Sequence, residues 1–318
     1  MPNLGTSNRT ALRYVPEVSF GTTPATPTLK DIRYTGESLN YSIKNVVSNE
    51  IRSDRNTTDL VRVSADAGGD VQFEMSFLSF DAFIEAALCN TFSAPVSNLS
   101  SIKNGTALKS FTLQKHFQDL DTPVFQNFNG CRVGGMTLDF KTGQILTGSF
   151  SFMGLGATTG TTQITGATTS ASPGVAENVM NAVTDLIEIK ENGVASTMVI
   201  RSMSLNLNNN LRAQDAIGSL PHVGVALGKL EITGNIEAYF ADLTAYNCFI
   251  NGTAFALSFK VNDSTGDYYR FTLPAVKYES GQVVAGGLDQ DLVFQGTWRA
   301  IYDPTSACMI QIDKFDNP

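Results

Sequence analysis

The chain has 318 residues, enough for about two domains of ordinary size. Its 42% hydrophobic residues suffice for packed cores, whereas only 16% are charged and Thr, Ser, Asn and Gly abound, which favours strands and turns over long surface helices. A net charge of −8 and a pI near 4.8 exclude a protein that grips nucleic acid by its phosphates, but not one past which nucleic acid slides without sticking.

Residues 1–31 read as an extended arm. The prolines of Gly21-Thr-Thr-Pro24-Ala-Thr-Pro27 forbid regular helix, while Tyr14, Val15, Val18 and Phe20 are apolar enough to dock on their own domain or on a neighbouring subunit. Leu39-Asn-Tyr41-Ser-Ile43 alternates as a strand, and the charged, aperiodic stretch from Asn49 to Thr58 reads as a loop. After the glycine pair Gly68-Gly69, Val71, Phe73, Met75 and Phe77 alternate with Gln72, Glu74 and Ser76, predicting a strand with one buried face. At Asp81 the period changes. Phe83, Ile84, Ala87 and Leu88 fall at helical spacing behind an aspartate placed to cap a short helix.

Further strands are predicted at 110–115, 135–141 and 148–153, with Thr142-Gly143 as a tight hairpin turn between the last two. The small, polar, low-complexity stretch 156–179 reads as a flexible linker or long loop. Strands resume at 184–190, 203–207 and 228–234. An aspartate, Asp242, again opens a short helix, and strands at 256–261, 268–273 and 291–300 follow, with Asp263-Ser-Thr-Gly266 as a turn.

The two halves superpose in order. Ile51-Arg52 matches Leu211-Arg212, Gly69-Asp-Val-Gln-Phe73 matches Gly228-Lys-Leu-Glu-Ile232, Asp81 matches Asp242, and Gly148-Ser-Phe150 has a looser counterpart in Gly296-Thr-Trp298. Duplication predicts a mainly β chain of two tandem β-sandwich or barrel-like domains, each with one short α-helix. Their expected bounds are 32–155 and 180–302, with a C-terminal tail at 303–318.

No catalytic constellation is present. His116 and His222 have no acidic partner at helical spacing, no G-x-S-x-G elbow occurs, and Gly154-Leu-Gly156 lacks the rest of a dinucleotide loop. Asp119/Asp121 and Asp289/Asp291 lack an oxygen-rich ligand set and read as solvated turns. Cys89, Cys131, Cys248 and Cys308 are far apart and read as free thiols, so no metal and no cofactor is expected. The N-terminus shows no basic and apolar signal segment, and no apolar run approaches the ~20 residues of a membrane span.

Tyr14-Val-Pro-Glu-Val-Ser-Phe-Gly21-Thr-Thr-Pro24-Ala-Thr-Pro27, Ile32-Arg-Tyr-Thr-Gly-Glu-Ser-Leu39, Ser48-Asn-Glu-Ile-Arg-Ser-Asp-Arg55, and the Gly69-Asp-Val strand leading to Phe80-Asp81 together resemble the opening of tail tube (major tail) proteins of long-tailed bacteriophages. The resemblance covers roughly the first 90 residues directly and the rest by architecture. It implies a non-enzymatic structural virion protein, assembled in the host cytoplasm, whose stacked rings form a conduit through which double-stranded DNA passes during ejection without specific binding. Implied partners are further copies of the chain and other tail proteins (terminator, tape measure, distal tail), with no membrane. Rings of this kind use six domains, so a two-domain chain closes as a trimer, and a single-domain chain as a hexamer.

On that reading Gln72, Glu74, Ser76, Thr137, Asp139, Glu231 and Thr233, which face away from the core set, are candidates for the channel wall; the alternative is an outer solvated face. Tyr14, Phe20, Glu50, Arg52, Asp54, Arg55 and Arg212 are candidate inter-subunit contacts, with the arginines paired to acids across a ring junction. The competing function is a β-sandwich module of a virion that binds a host surface or carbohydrate, which exposed aromatic clusters on loops would favour; the single tryptophan, Trp298, sits instead in a strand pattern.

Overall fold

A computed structural model of the chain describes residues 3–195 and 198–317. The first half forms β1 (Thr10–Pro16), β2 (Thr28–Asp31), β3 (Gly36–Glu37), β4 (Asn40–Val47), β5 (Leu60–Glu74), β6 (Leu99–Lys103), β7 (Phe111–Phe117), β8 (Val124–Lys141), β9 (Thr147–Gly154), β10 (Gly156–Gly160) and β11 (Thr168–Ser170). The second forms β12 (Leu186–Glu191), β13 (Val194–Ala195), β14 (Ile200–Asn208), β15 (Arg212–Gln214), β16 (Gly224–Ala226), β17 (Glu231–Tyr239), β18 (Phe255–Asn262), β19 (Tyr268–Ala285), β20 (Leu292–Ala300) and β21 (Gln311–Phe315). Each half has one seven-residue helix, α1 (Asp81–Ala87) and α2 (Thr244–Ile250). The mainly β class with one short helix per half is therefore the fold observed.

Both halves are wound around one very long strand. β8 and β19 each run 18 residues, too long to stay in one layer. The first part of β8 pairs with β7 and β10, while its later part pairs with β9 and β14. Likewise the first part of β19 pairs with β18 and β21, and its later part with β20. Both strands carry a one-residue register shift against their hairpin partner, at Val133/Gly135 in β8 and at Tyr278/Ser280 in β19. Such bulges bend a strand and increase its local twist, which lets each strand pass from one layer to the other.

The strand order recurs. The first half reads β4–β5–β9–β8–β7–β1, and the second β14–β17–β20–β19–β18–β12, every pair antiparallel. The halves are joined by backbone: β14 pairs with β8 over seven residues, from Ser202 opposite Lys141 to Asn208 opposite Gly135. A single antiparallel sheet of eight strands results, in the order β4–β5–β9–β8–β14–β17–β20–β19.

The apolar face of this sheet meets the second layer and the helices in the core. Phe73 stacks on Phe150 with ring centroids 4.8 Å apart, and Phe83 of α1 lies against Tyr14, Phe111, Phe150 and Phe152. In the second half Phe259 stacks on Phe271 at 4.9 Å, and Trp298 is 1% exposed. Rings packed at these separations contribute beyond their buried area.

Four local expectations differ from what forms. Residues 10–16, expected in an extended arm docked on its own domain or on a neighbouring subunit, are a strand of the chain's own sheet, β1, inserted between β7 and β2. Residues 156–160 and 168–170, expected in a flexible linker, are β10 and β11, because their small side chains let the backbone satisfy itself against β8 and β2. The expected C-terminal tail contains β21, which bridges β19 to β6 of the other half. Asp81 does not cap α1: its carboxylate instead accepts the Tyr269 hydroxyl at 2.5 Å and the Lys314 ammonium at 2.6 Å, tying α1 to β19 and β21. The expected turn at Thr142-Gly143 forms, with Gly143 at φ +75°.

The landmark glycines also pair differently from the sequence match. A Cβ at Gly69 would strike the Ser38 carbonyl, and a Cβ at Gly234 would strike the Ser204 carbonyl and the Trp298 ring. Gly69 lies opposite Phe152 of β9 and Gly234 opposite Trp298 of β20, whereas Gly228 precedes β17, so Gly69 corresponds to Gly234 and Ser38 to Ser204. By the shared bulge Phe152, not Phe150, corresponds to Trp298. Gly234→Ala is expected to cost about 1–3 kcal/mol through overpacking against main chain, whereas the exposed neighbour Asn235→Ala stays within about 0.5 kcal/mol; urea unfolding midpoints check both.

Candidate functional site

The face of the eight-stranded sheet turned away from the core is polar from end to end. One row of opposed residues runs Gln72, Ser149, Thr137, Asn206, Thr233, Arg299, Lys277 across seven strands. A second runs Glu74, Thr147, Asp139 and Ser204, then Asn235, Thr297 and Ser280; the Asn235 amide donates to Ser204 Oγ at 3.1 Å across the gap between them. The matching row on the other face is apolar: Val71, Phe150, Met136, Leu207, Ile232. This is period-2 patterning carried across both halves without a break.

Hydroxyls and amides on the polar face bond mainly to one another. Thr137 Oγ1 and Ser149 Oγ lie 2.8 Å apart, as do Ser280 Oγ and Thr297 Oγ1 at 2.7 Å. The arginines are held by acids: Arg201 by Glu237 at 3.0 Å, and Arg299 by Glu279 and by Glu231, the latter at 3.6 Å. Among the described residues Asp70, Glu74 and Asp139 make no ion pair, nor do Lys141 and Lys277. Acids (Asp66, Asp70, Glu74, Asp139, Glu231, Glu237, Glu279) thus outnumber bases (Lys44, Lys141, Arg201, Lys277, Arg299), and both arginines are already engaged. Among the described residues this face is an extended surface of hydroxyls, amides and carboxylates.

The sheet also has two open ends. The outer edges of β3 and β4, on one side, carry no strand partner among the described residues. Neither does the side of β19 from Lys277 to Ala285 that lies opposite β20. Long unpaired edges in a natural sheet need covering.

A comparison with known protein families matches residues 7–300 to the family described as phage tail tube protein. The chain belongs to that family. It is a structural component of a bacteriophage tail, in a family that self-assembles and associates with other tail proteins. No curated protein matches it. No helix among the described residues is long and apolar enough to cross a membrane.

Within this tail tube protein the expected wall residues divide. Gln72 and Asp139 are exposed and Glu74, Thr137, Glu231 and Thr233 half-buried, all on the polar face. Ser76 is a correction: it lies beyond the end of β5, fully buried, with its hydroxyl donating to Ser79 Oγ at 2.7 Å. Alternation continues past Glu74 in sequence, but the chain has already turned toward α1. Sequence reading missed Ser149, Ser202, Ser204, Asn206, Thr297 and Arg299; their alternation with apolar neighbours was the available signal.

The expected inter-subunit contacts divide similarly. Tyr14 is 2% exposed, inside the chain's own core, and burial followed by the Asp81 charge pushes its hydroxyl up to about 12. Phe20 lies under the Arg132 guanidinium at 3.9 Å. Arg52 pairs with Asp54, two residues away, through two bonds of 2.9 and 2.6 Å, so that arginine is answered within its own loop. Glu50, Arg55 and Arg212 are exposed. The loop rises from a β4–β5 hairpin whose Val46, Val47, Leu60, Val61 and Val63 are between 46% and 58% exposed.

The two histidines are structural. His116 stacks on Phe125 at 4.2 Å. His222 is clasped between Asp215 (2.6 Å to Nδ1) and Asp66 (2.7 Å to Nε2), fastening the segment before β16 to β5. Burial pulls its pKa down, but the bonds to Asp215 and Asp66 outweigh this and leave it raised above 6.5. A raised folded pKa contributes stability fully below the unfolded value near 6.5, and that contribution is lost as pH rises through the folded value. Between pH 6 and pH 8 the wild-type unfolding midpoint is therefore expected to fall more than that of His222→Gln, as urea titrations at the two values check.

Proposed function

We propose that three copies of this chain close into a ring by edge-to-edge strand pairing, that rings stack into a tube, and that the polar sheet face lines the DNA conduit. The carrying observation is the β14–β8 joint. It is an intramolecular example of the contact needed between copies: the first strand of one half is added to the free side of the long strand of the other. The open edge of β3 and β4 and the open side of β19 are the same two surfaces, left over at the ends of the chain's sheet. Pairing them around a closed ring removes every long edge.

On this reading the chain comprises two tail-tube units, near 32–155 and 180–302, with β1, β2 and β21 completing their second layers. Barrel geometry favours three copies. Eight strands per copy, about 4.8 Å apart and tilted by about 40°, make a trimer of about 24 strands roughly 50 Å across its backbone, whereas six copies give roughly 100 Å. The smaller barrel passes a duplex closely enough to guide it. A wall of hydroxyls and amides with excess acid and engaged arginines suits passage without adhesion. The exposed valines and Leu60 of the β4–β5 hairpin, with Glu50 and Arg55 at its tip, are suited to packing on the next ring. The sugar-binding alternative loses its best anchor, since Trp298 is buried.

The register of the closing joint follows from the equivalences above. Asn208 opposes Gly135 within the chain. Four residues beyond the Ser38–Ser204 match, Asn208 corresponds to Ser42, and the shared bulge makes Gly135 correspond to Ser280. A Ser42→Cys, Ser280→Cys double variant is expected to form disulfide-linked dimers and closed trimers under mild oxidation, with neither single variant doing so; a chain that stays monomeric in native mass measurement and shows no annular particles by electron microscopy overturns the proposal. Tubes carrying Glu74→Lys and Asp139→Lys are expected to assemble but to retain DNA, with retention weakening steeply as salt rises from 50 to 200 mM, as filter binding reads.

A further inference from the structure

The turn between β18 and β19, Asp263-Ser-Thr-Gly-Asp267, uses its donors unevenly. Asp263 Oδ1 accepts the amides of Thr265 (2.8 Å), Gly266 (3.0 Å) and Asp267 (3.0 Å), and lies 2.7 Å from Thr265 Oγ1. Asp263 Oδ2 has no hydrogen-bond partner, although the residue is only 7% exposed. Asp267, also 7% exposed, accepts the Asn317 amide at Oδ1 and places Oδ2 2.7 Å from the same Thr265 hydroxyl. That hydroxyl has one proton and two carboxylates to serve.

Glu177, from the segment connecting the halves, brings a third carboxylate. One oxygen of each of Glu177, Asp263 and Asp267 lies within 4.8 Å of the others. Among the described residues none of the three forms an ion pair with a lysine, arginine or histidine. An unpartnered, buried carboxylate oxygen facing two more acids is a costly arrangement unless something positive completes it.

We propose that Glu177, Asp263 and Asp267 bind a divalent cation, with Ca²⁺ the best fit. Ca²⁺ takes oxygen ligands at about 2.3–2.6 Å, so ligands on opposite sides of one ion stand up to about 5 Å apart, and it tolerates irregular geometry with water completing the shell; Mg²⁺ demands a tighter octahedron. The ion clamps the connecting segment onto the β18–β19 turn. Arg33 Nη1 already donates to the carbonyls of Gly174 and Glu177, at 2.9 and 2.8 Å, so the clamp links the first half to the second.

The test uses the full chain stripped with EGTA. Calorimetric titration with CaCl₂ is expected to show one site per chain, and Ca²⁺ to raise the thermal midpoint, with Mg²⁺ at equal concentration raising it less. Asp263→Asn and Glu177→Gln are each expected to abolish both responses while circular dichroism shows an intact β fold. Glu177→Gln lies outside the turn and remains informative if the turn variant misfolds. Absence of a Ca²⁺ response in the wild type overturns the proposal, as does an undiminished response in Glu177→Gln. A wild type stabilised by acidification but indifferent to Ca²⁺ also overturns it, since the acids then share a proton instead of an ion.

Discussion

Everything in this architecture depends on the requirement that backbone donors and acceptors along a sheet edge find partners. β8 satisfies it twice on one side, first with β7 and then with β14, a strand that belongs to the other half of the chain. That single joint turns two small sheets into one of eight strands, aligns their polar faces, and places both hydrophobic cores on the same side. β19 repeats the first arrangement with β18 and leaves the second unfilled. The recurring order supplies one internal joint and leaves one open side at each end of the eight-stranded sheet.

The bulges and glycines are what make the joint possible. A straight 18-residue strand would carry its later residues out of reach of the second layer; the extra residue at Gly134 and at Glu279 turns the strand at the same place in both halves. Gly69 and Gly234 let a neighbouring carbonyl approach where any Cβ would strike it. These positions constrain structure more tightly than the core aromatics do, because a ring can shift rotamer and repack, whereas a strand crossing cannot.

Much of this was legible in the sequence and some was not, for physical reasons. Alternation located β4, β5, β7, β9, β14, β18 and β20, since half-buried strands carry a period of two. It located only the later part of β8 and the earlier part of β19, because in a strand that changes layers the buried face changes with it, and the alternation slips at the bulge. β1, β10 and β11 were hidden by proline, glycine and threonine content that reads as loop, although their hydrogen bonds come from partners distant in sequence. The aspartate at Asp81 looked like a cap because a local rule fitted it; Tyr269 and Lys314, 188 and 233 residues away, claimed its oxygens instead. The polar-face positions of Gln72, Asp139 and Thr233 followed from facing alone, whereas Ser76 shows how that rule fails once the strand ends.

The recurring strand order was likewise visible in the sequence but misaligned in detail, and the error is instructive. Gly228 and Gly234 both precede an alternating run, so either fits a pattern match to Gly69. Both also have a carbonyl where a Cβ would go, but only Gly234 lies within the strand, opposite Trp298 of β20 as Gly69 lies opposite Phe152 of β9, and that pairing is not revealed by sequence proximity. Once corrected, the alignment places Ser42 and Ser280 at corresponding edge positions, and the intramolecular joint becomes a template for an intermolecular one. In the proposed ring the contact encoded once within the chain is reused between chains. The cost is that both surfaces stay exposed until a neighbour arrives. On that open side of β19 Val283, between Gln282 and Val284, is half-exposed, the apolar edge that such a neighbour would cover.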